Sequence, residues 1–294
     1  MQKILFIVNP ISGGKDKTKV LKAVEGWLDK SRFEYDIVYT RYSGHGREIA
    51  ADSNADIIVA VGGDGTVSEV AQGIVGTSKI LGVIPCGSGD GLAIHLGISR
   101  NPAKAVRQLN SAEPSVMDYG EVDGRAFFCT TGVGMDAQVA WEFAREGKRG
   151  FWTYFAKTLS VWRRFVPDKY TLVIDGAEQD VKAVFITVAN VNQWGNNAII
   201  APGASVTDGL FDIVILHPFR VTDIPGLAFR LFSHSFSRNR NVTVLRGRNV
   251  TIHRSSVDPA HLDGDSTEMG TDIRVEMHPS ALHVLVPVYH ITQI

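Results

Sequence analysis

The stretch IIVAVGGDGT, from Ile57 to Thr66, decides how this chain folds. Five apolar residues in succession, most of them β-branched, describe a strand buried on both faces, as strands of parallel sheets are. The glycines at 62, 63 and 65 let the backbone turn at the carboxyl end of that strand and come close to a ligand. Thr66 is then placed to cap a helix over 67–74. Open α/β sheets bind ligands at this edge, where backbone N–H groups and helix N-termini favour phosphate. Asp64 stands among the glycines, and a carboxylate beside a phosphate is repelled unless a cation lies between them. The stretch therefore points to a metal–nucleotide complex. A turn needs a single glycine, and three favour phosphate binding over a solvated αβ turn.

Working outward, strand patterns at 3–8, 35–40, 57–61 and 80–84 alternate with helical patterns at 17–30, 46–53, 67–74, 91–96 and 102–109. This alternation is the signature of a parallel sheet with helical crossovers. After Pro114 the texture changes to strand-like runs at 126–130, 170–174, 181–189, 211–216, 249–253, 274–278 and 282–286. Asp123-Gly124, Asp175-Gly176 and Asp263-Gly264 are hairpin-type turn dipeptides. The expected organisation is an α/β domain over 1–115 and an antiparallel β domain over 116–294, the latter interrupted by helical stretches at 137–165 and 222–237.

With 294 residues, 44% hydrophobic and 21% charged, the chain can build one large or two modest cores. A net charge of −1 gives no electrostatic footprint for nucleic acid. Cys86 and Cys129 are too few for a disulfide framework and read as small core residues in a reducing compartment. The apolar run in MQKILFIVNP is too short for a signal peptide, and no stretch reaches the roughly 20 apolar residues of a spanning helix. A cytoplasmic protein is expected. The nine histidines show no metal-binding spacing; His45, His95 and His261 lie near motif loops as bystanders or phosphate contacts.

Two more strands end in glycine loops, Asn9-Pro10-Ile11-Ser12-Gly13-Gly14-Lys15 and Pro85-Cys86-Gly87-Ser88-Gly89-Asp90-Gly91. Neither has the spacing of a Walker A loop. Three such loops after strands of one sheet would together enclose a triphosphate, and Thr40, ending the second strand, could add a hydroxyl. The ordered set NPISGG (9–14), GGDGTVSE (62–69) and PCGSGDGLA (85–93) resembles the catalytic fold of diacylglycerol and sphingosine kinases, the bacterial soluble lipid kinases being nearest in length. The resemblance continues through Met117-Asp118-Tyr119-Gly120, Gly132-Val133-Gly134-Met135-Asp136-Ala137, Thr207-Asp208-Gly209-Leu210-Phe211-Asp212 and His261-Leu262-Asp263-Gly264-Asp265, and so spans nearly the whole chain. GGDGT alone is shared with NAD kinases; the ordered set is far more specific.

The resemblance implies an N-terminal α/β domain with an NAD kinase- or phosphofructokinase-like parallel sheet, a C-terminal antiparallel β-sandwich, and ATP in the crevice between them. Asn9, Ser12, Thr40, the segment Gly62, Gly63, Asp64, Gly65, Thr66, Val67 and Ser68, and Ser88 match nucleotide-contacting positions. Asp64 matches the acid of the glycine loop, and Asp118 an acid in a water-mediated network around the catalytic Mg²⁺. Asp208 with the carbonyls of Ser205 and Leu210 matches a separate structural Mg²⁺ site. Asp265 matches the general base of a late Asp-Gly-Glu motif. Here that motif is Asp-Gly-Asp, a stem shorter by ~1.5 Å, one carbon–carbon bond, and a misplacement of that size costs on the order of 10² in rate unless the loop compensates. Within the third loop the Asn-Asp of diacylglycerol kinases is Asp90-Gly91 here, and the Gly-Ser-Gly start of that loop is nearer the sphingosine and ceramide kinase version.

The implied activity is transfer of the ATP γ-phosphate, with Mg²⁺, to a hydroxyl of diacylglycerol or a sphingoid-type lipid, in phospholipid metabolism. The alternatives are an NAD kinase-type nucleotide kinase and a non-catalytic lipid- or nucleotide-binding pseudokinase. A lipid substrate requires peripheral, transient membrane contact, and a homodimer is compatible with the reading. Two faces could supply the membrane contact. One is the aromatic stretch at 150–167, with Trp152, Phe155, Leu159, Trp162 and Phe165 near helical spacing among Arg145, Lys148, Arg149, Arg163 and Arg164; core packing of those rings is the favoured reading. The other is Phe229-Arg230-Leu231-Phe232 with Phe236, Arg238 and Arg240.

Overall fold

The computed structural model describes residues 1–14, 17–146, 160–161 and 164–288. They divide into two compact units, Met1–Asp118 with Ser280–Ile294, and Tyr119–Pro279. The second unit thus ends before the chain does, and the final segment, expected with the β domain, returns to the first.

In the first unit, strands β1 (Gln2–Val8), β2 (Phe33–Tyr39), β3 (Ile57–Gly62) and β4 (Ile80–Pro85) form a parallel sheet in the order β2-β1-β3-β4. Every residue of β3 is buried, as the unbroken apolar run requires of a central strand. Helices α1 (Thr18–Trp27), α2 (His45–Asp52), α3 (Asp64–Ile74), α4 (Gly91–His95) and α5 (Pro102–Ser111) connect and follow these strands. On α3 the buried residues Val67, Val70, Ala71 and Ile74 recur at helical spacing against the sheet. Burying such aliphatic side chains contributes about 1.5–3 kcal/mol each. The helix starts three residues earlier than the reading that made Thr66 its cap: Gly63 holds the N-cap position, and Thr66 lies inside the first turn.

Strand β5 (Glu113–Val122) leaves the first unit after Asp118, at the place where the sequence put only a boundary. The second unit then contains β6 (Arg125–Phe127), β7 (Thr130–Gly134), α6 (Met135–Glu146), β8 (Asp168–Ile174), β9 (Ala177–Ala183), β10 (Phe185–Ala189), β11 (Phe211–Leu216), α7 (Ile224–Phe232), β12 (Val242–Gly247), β13 (Asn249–Arg254), β14 (Pro259–Leu262) and β15 (Asp265–Glu268). Strand β16 (Asp272–Val286) begins there and ends in the first unit, where Val284 pairs in parallel with Leu81 of β4. One sheet of this unit runs β16-β13-β8-β9, with β5 joined to β16 and β6; the other runs β12-β11-β10-β7-β14-β15.

Alternate residues of the two sheets interleave in one core: Leu172 and Ile174, Val250 and Ile252, Ile273 and Val275 from the first, Ile186 and Val188, Phe211, Ile213 and Ile215 from the second. The intervening residues Phe185, Ala189, Val214 and Leu216 face a second cluster with Met135, Val139, Leu227 and Phe236 from the helices. The sandwich is therefore covered by helices on one outer face, and β10 and β11 are buried throughout, apolar but for Thr187 and Asp212, because both their faces are covered.

Two expected strands are broken for physical reasons. The run 181–189 is two strands, because at Val184 the chain leaves the first sheet for the second. The run 126–130 ends as β6 at Phe127, because the next backbone N–H groups turn away to a carboxylate described below. Conversely, 274–278 and 282–286 form one strand that carries Ser280 at φ 52°. The three Asp-Gly dipeptides all form two-residue hairpin turns with positive φ at both positions. Among the described residues no helix is long and apolar enough to cross a membrane. Most of the aromatic stretch, including Trp152, Phe155, Leu159 and Trp162, lies outside the described residues; Phe165 packs against the helix-side cluster.

Candidate functional site

Four loops at the carboxyl ends of β1 to β4 make up the candidate site of the first unit, and two acids of α3 tie the last three of them together. Asp64 accepts the backbone N–H of Asp90 (2.8 Å) on one oxygen and that of Gly91 (2.7 Å) on the other. Its carboxylate therefore ties the loop after β3 to the loop after β4, rather than standing unattached among the glycines. Glu69, one helical turn and a half further on, accepts the N–H groups of Gly44 (2.7 Å) and Gly46 (3.2 Å) at the start of α2. A carboxylate at a helix N-terminus offsets its partial positive charge as well as its orphan donors.

The remaining contacts knit the same loops together. Asn9 donates its amide to Thr66 Oγ1 (3.0 Å) and its backbone N–H to Val61 (3.0 Å). Ser12 is buried, and its carbonyl accepts Lys17 Nζ (2.7 Å). Thr40 is buried and donates its N–H to Val8 (3.0 Å). In the loop after β4, Asp90 takes the N–H of Gly87 (2.7 Å) and pairs with Arg100 Nε (3.0 Å), while Arg100 reaches the carbonyls of Gly87 and Ser88. Ser88 itself is exposed. Val67 lies in the hydrophobic core, and Ser68 is buried with its hydroxyl accepting Gln72 Nε2 (3.2 Å), so neither side chain is presented at the loop surface.

The glycines owe their identity partly to the protein itself. A Cβ on Gly62 would lie 2.4 Å from the side chain of Thr66, and one on Gly63 would lie 3.0 Å from the Cα of Gly87. At Gly13, with φ +64°, a Cβ would fall 2.0 Å from the carbonyl oxygen of Cys86. The loops thus pack backbone on backbone, which explains glycine at these positions without a ligand, a source the sequence reading did not include.

Asp118 is fully buried in β5 and accepts the N–H of Ser280 (2.7 Å), fixing the positive-φ residue of β16. Among the described residues, no group of three or more His, Cys, Asp or Glu side chains is arranged to hold a metal ion. Mg²⁺ needs only one or two protein carboxylates when it arrives on a nucleotide's phosphates. Asp64, partly accessible beside the loops, fits that use; Asp118, buried, could act only through intervening groups.

In the second unit, the Asp263-Gly264 turn carries the late motif. The Asp263 carboxylate accepts three successive backbone N–H groups, Phe128 (3.0 Å), Cys129 (2.7 Å) and Thr130 (3.3 Å). This is the contact that ends β6. Asp265 follows at the exposed first position of β15, paired with Leu262. Behind the hairpin, buried His261 lies 3.1 Å from Asp136, which also accepts Thr187 Oγ1 (2.8 Å) and the N–H of Ala137 (2.8 Å). Only the motif assignment of Asp265 was available from sequence; nothing local in the chain reveals the roles of Asp263, Glu69, Arg100 or Arg246.

In the set Ser205, Asp208 and Leu210, the one carboxylate is already engaged within the chain. Asp208 accepts the N–H of Leu210 (3.1 Å) on one oxygen and pairs through the other with Arg246 Nη2. Arg246 also binds Asp212 through Nε (3.0 Å), the two being directly opposite on β11 and β12. Burial pushes the Asp212 carboxyl above its ordinary range, and the guanidinium opposes that shift. The Arg246 guanidinium thus bridges the carboxylate of that set and the buried acid of β11. Arg246→Gln is expected to cost about 1–2 kcal/mol, the half-exposed arginine tempering the loss of a buried carboxylate's partner. An acid whose folded pKa is raised binds its proton more tightly in the native state, so this variant's deficit should deepen as pH rises above about 4. Urea denaturation at pH 5 and pH 8 measures this. Without nucleotide, Mg²⁺ should leave wild-type stability unchanged; a rise with Mg²⁺ would show that an ion takes the Asp208 carboxylate from Arg246.

A family model for the diacylglycerol kinase catalytic domain matches residues 3–122, and one for the YegS C-terminal NAD kinase beta sandwich-like domain matches 129–286. A diacylglycerol kinase of Bacillus subtilis (strain 168) is 26% identical over 98% of this chain and 97% of its own length. One of Mycobacterium tuberculosis (H37Rv) is 25% identical over 97% and 95%. A crystal structure of a diacylglycerol kinase from Bacillus anthracis superposes with a TM-score of 0.75 at 18% identity, covering 98% of each chain. An NAD kinase from Archaeoglobus fulgidus, solved in complex with ATP, gives 0.52 at 15% identity over 97% of this chain and 94% of that one. With both halves of its fold matched in order, the chain belongs to the diacylglycerol kinase-like family of lipid kinases, a catalytic α/β domain followed by a YegS-type sandwich.

Proposed function

We propose that this protein transfers the γ-phosphate of ATP to a hydroxyl of a membrane-derived lipid, diacylglycerol or a sphingoid-type relative. The observation that carries the reading is the set of glycine loops braced against one another at one sheet edge beside the N-terminus of α3, an edge that favours phosphate, on a chain that also carries the family's late acidic motif. Phosphoryl transfer needs positioning, charge neutralisation and a base for the acceptor. The loops after β1, β3 and β4 position the phosphates; Asp64 is the loop carboxylate that would hold a nucleotide-borne Mg²⁺, which would supply neutralisation of the developing charge. Asp265 accepts the proton of the lipid hydroxyl, acting late, when that oxygen has become acidic.

Incubation of the purified protein with γ-labelled ATP, Mg²⁺ and a mixed lipid extract should label a lipid. Label in NADP formed from added NAD would instead favour the nucleotide-kinase reading supported by the shared GGDGT loop. Nucleotide binding without any labelled product would leave a non-catalytic binder.

A further inference from the structure

Helix α7 and the short 3-10 turn before it (Val221–Asp223) present an apolar stripe to the outside. Val221, Pro225, Phe229 and Phe232 follow one another at helical spacing and are all exposed, Phe229 by 72%, Val221 by 66% and Phe232 by 45%. The opposite side of the helix is anchored: Leu227 is buried and Leu231 packs with it in the helix-side cluster. Phe236, grouped by sequence with the outward rings, is buried in that same cluster. The stripe is therefore a fixed outward face, not a frayed end.

Its surroundings are cationic. Across 217–240 there are four arginines, Arg220, Arg230, Arg238 and Arg240, and one acid, Asp223. That acid is engaged by the side chain of Arg240 (2.9 Å) and the N–H of Arg220 (2.9 Å). Beside the stripe opens a cavity of about 460 Å³ lined by Pro218, Phe219, Arg220, Asp223, Arg240 and Asn241. The side-chain amide of Asn241 is buried there without a hydrogen-bond acceptor. Two guanidinium groups and an unmatched N–H donor beside apolar rings suit a phosphate attached to an acyl chain.

We infer that α7 is the membrane-docking face, its phenylalanines entering the acyl–headgroup boundary of an anionic bilayer while the cleft of Arg220, Arg240 and Asn241 takes a lipid phosphate. The inference rests on the lipid-kinase reading for its purpose, but its evidence is separate. Interfacial helices combine such apolar and arginine-rich faces, and each arginine near an anionic surface strengthens binding about fivefold. A second copy of the chain is disfavoured as occupant, because a two-fold contact of the stripe on itself would set arginine against arginine.

Co-sedimentation tests this, with phosphatidylcholine vesicles and mixed phosphatidylcholine–phosphatidylglycerol vesicles at low and high salt. Wild type should sediment with the mixed vesicles and be released by salt. Phe229→Ser with Phe232→Ser should lower binding about tenfold or more, and Arg230→Gln with Arg238→Gln should weaken it and flatten its salt dependence. Circular dichroism checks that these surface variants fold. Wild type that ignores anionic vesicles, or serine variants that sediment as wild type does, overturns the inference. A dimer dissociated by the serine substitutions overturns it too. Vesicle binding through α7 by a protein that labels no lipid supports the face while removing the kinase reading, so the two fail separately.

Discussion

Asp265→Asn is expected to lower lipid phosphorylation by roughly 10³-fold while leaving folding and nucleotide affinity unchanged. The side chain is exposed at the first position of β15, and the hairpin there is held by backbone pairing with Leu262 and by the turn before it. The amide keeps the size of the carboxylate and removes its capacity to accept a proton. Initial rates with labelled ATP, read beside calorimetric titration of nucleotide, separate the two effects. Turnover near the wild-type rate would remove Asp265 as the base.

Two residues earlier the expectation inverts. Asp263→Ala should destabilise the protein by about 3 kcal/mol, because three backbone N–H groups lose a charged acceptor worth about 1.5–3 kcal/mol per bond before solvent compensates. Alanine also tolerates φ 49° less well than aspartate does. For a protein of this size the loss corresponds to a fall in melting temperature of roughly 10 °C. Asp263→Asn, which keeps one acceptor oxygen, should recover part of it. Activity should fall with stability, since the turn that presents Asp265 then keeps only its backbone bonds to Thr130 and within the hairpin. Thermal denaturation of the pair measures this; an alanine variant melting with wild type would show that Phe128, Cys129 and Thr130 find other acceptors.

These two aspartates show what a sequence can and cannot reveal. The parallel strands were legible because β3 and β4 are apolar runs closed by glycine, and the Asp-Gly hairpins because positive φ selects those residues. The helix start at Asp64 was not, since a threonine two residues on looked like a cap until Asn9 proved to be its partner. The split at Val184 was hidden for another reason: both halves are strand, and only packing determines that they join different sheets. The roles of Asp263, Glu69 and Arg246 depend on partners 23 to 135 positions away, at distances in sequence no local pattern encodes. Motif order located the candidate site; the contacts within it are tertiary.

The double clasp by Asp64 and Glu69 has a consequence for how tightly the protein can hold a nucleotide. Flexible glycine loops that become ordered only around a ligand charge the ordering of each residue, about 1–2 kcal/mol, against binding. Here that entropy is surrendered once, during folding, to two carboxylates already inside the chain. The loops meet their ligand as a rigid receptor, so association should depend little on conformational rearrangement, and substitutions at Glu69 should appear as weaker nucleotide affinity although its carboxylate is spent on Gly44 and Gly46.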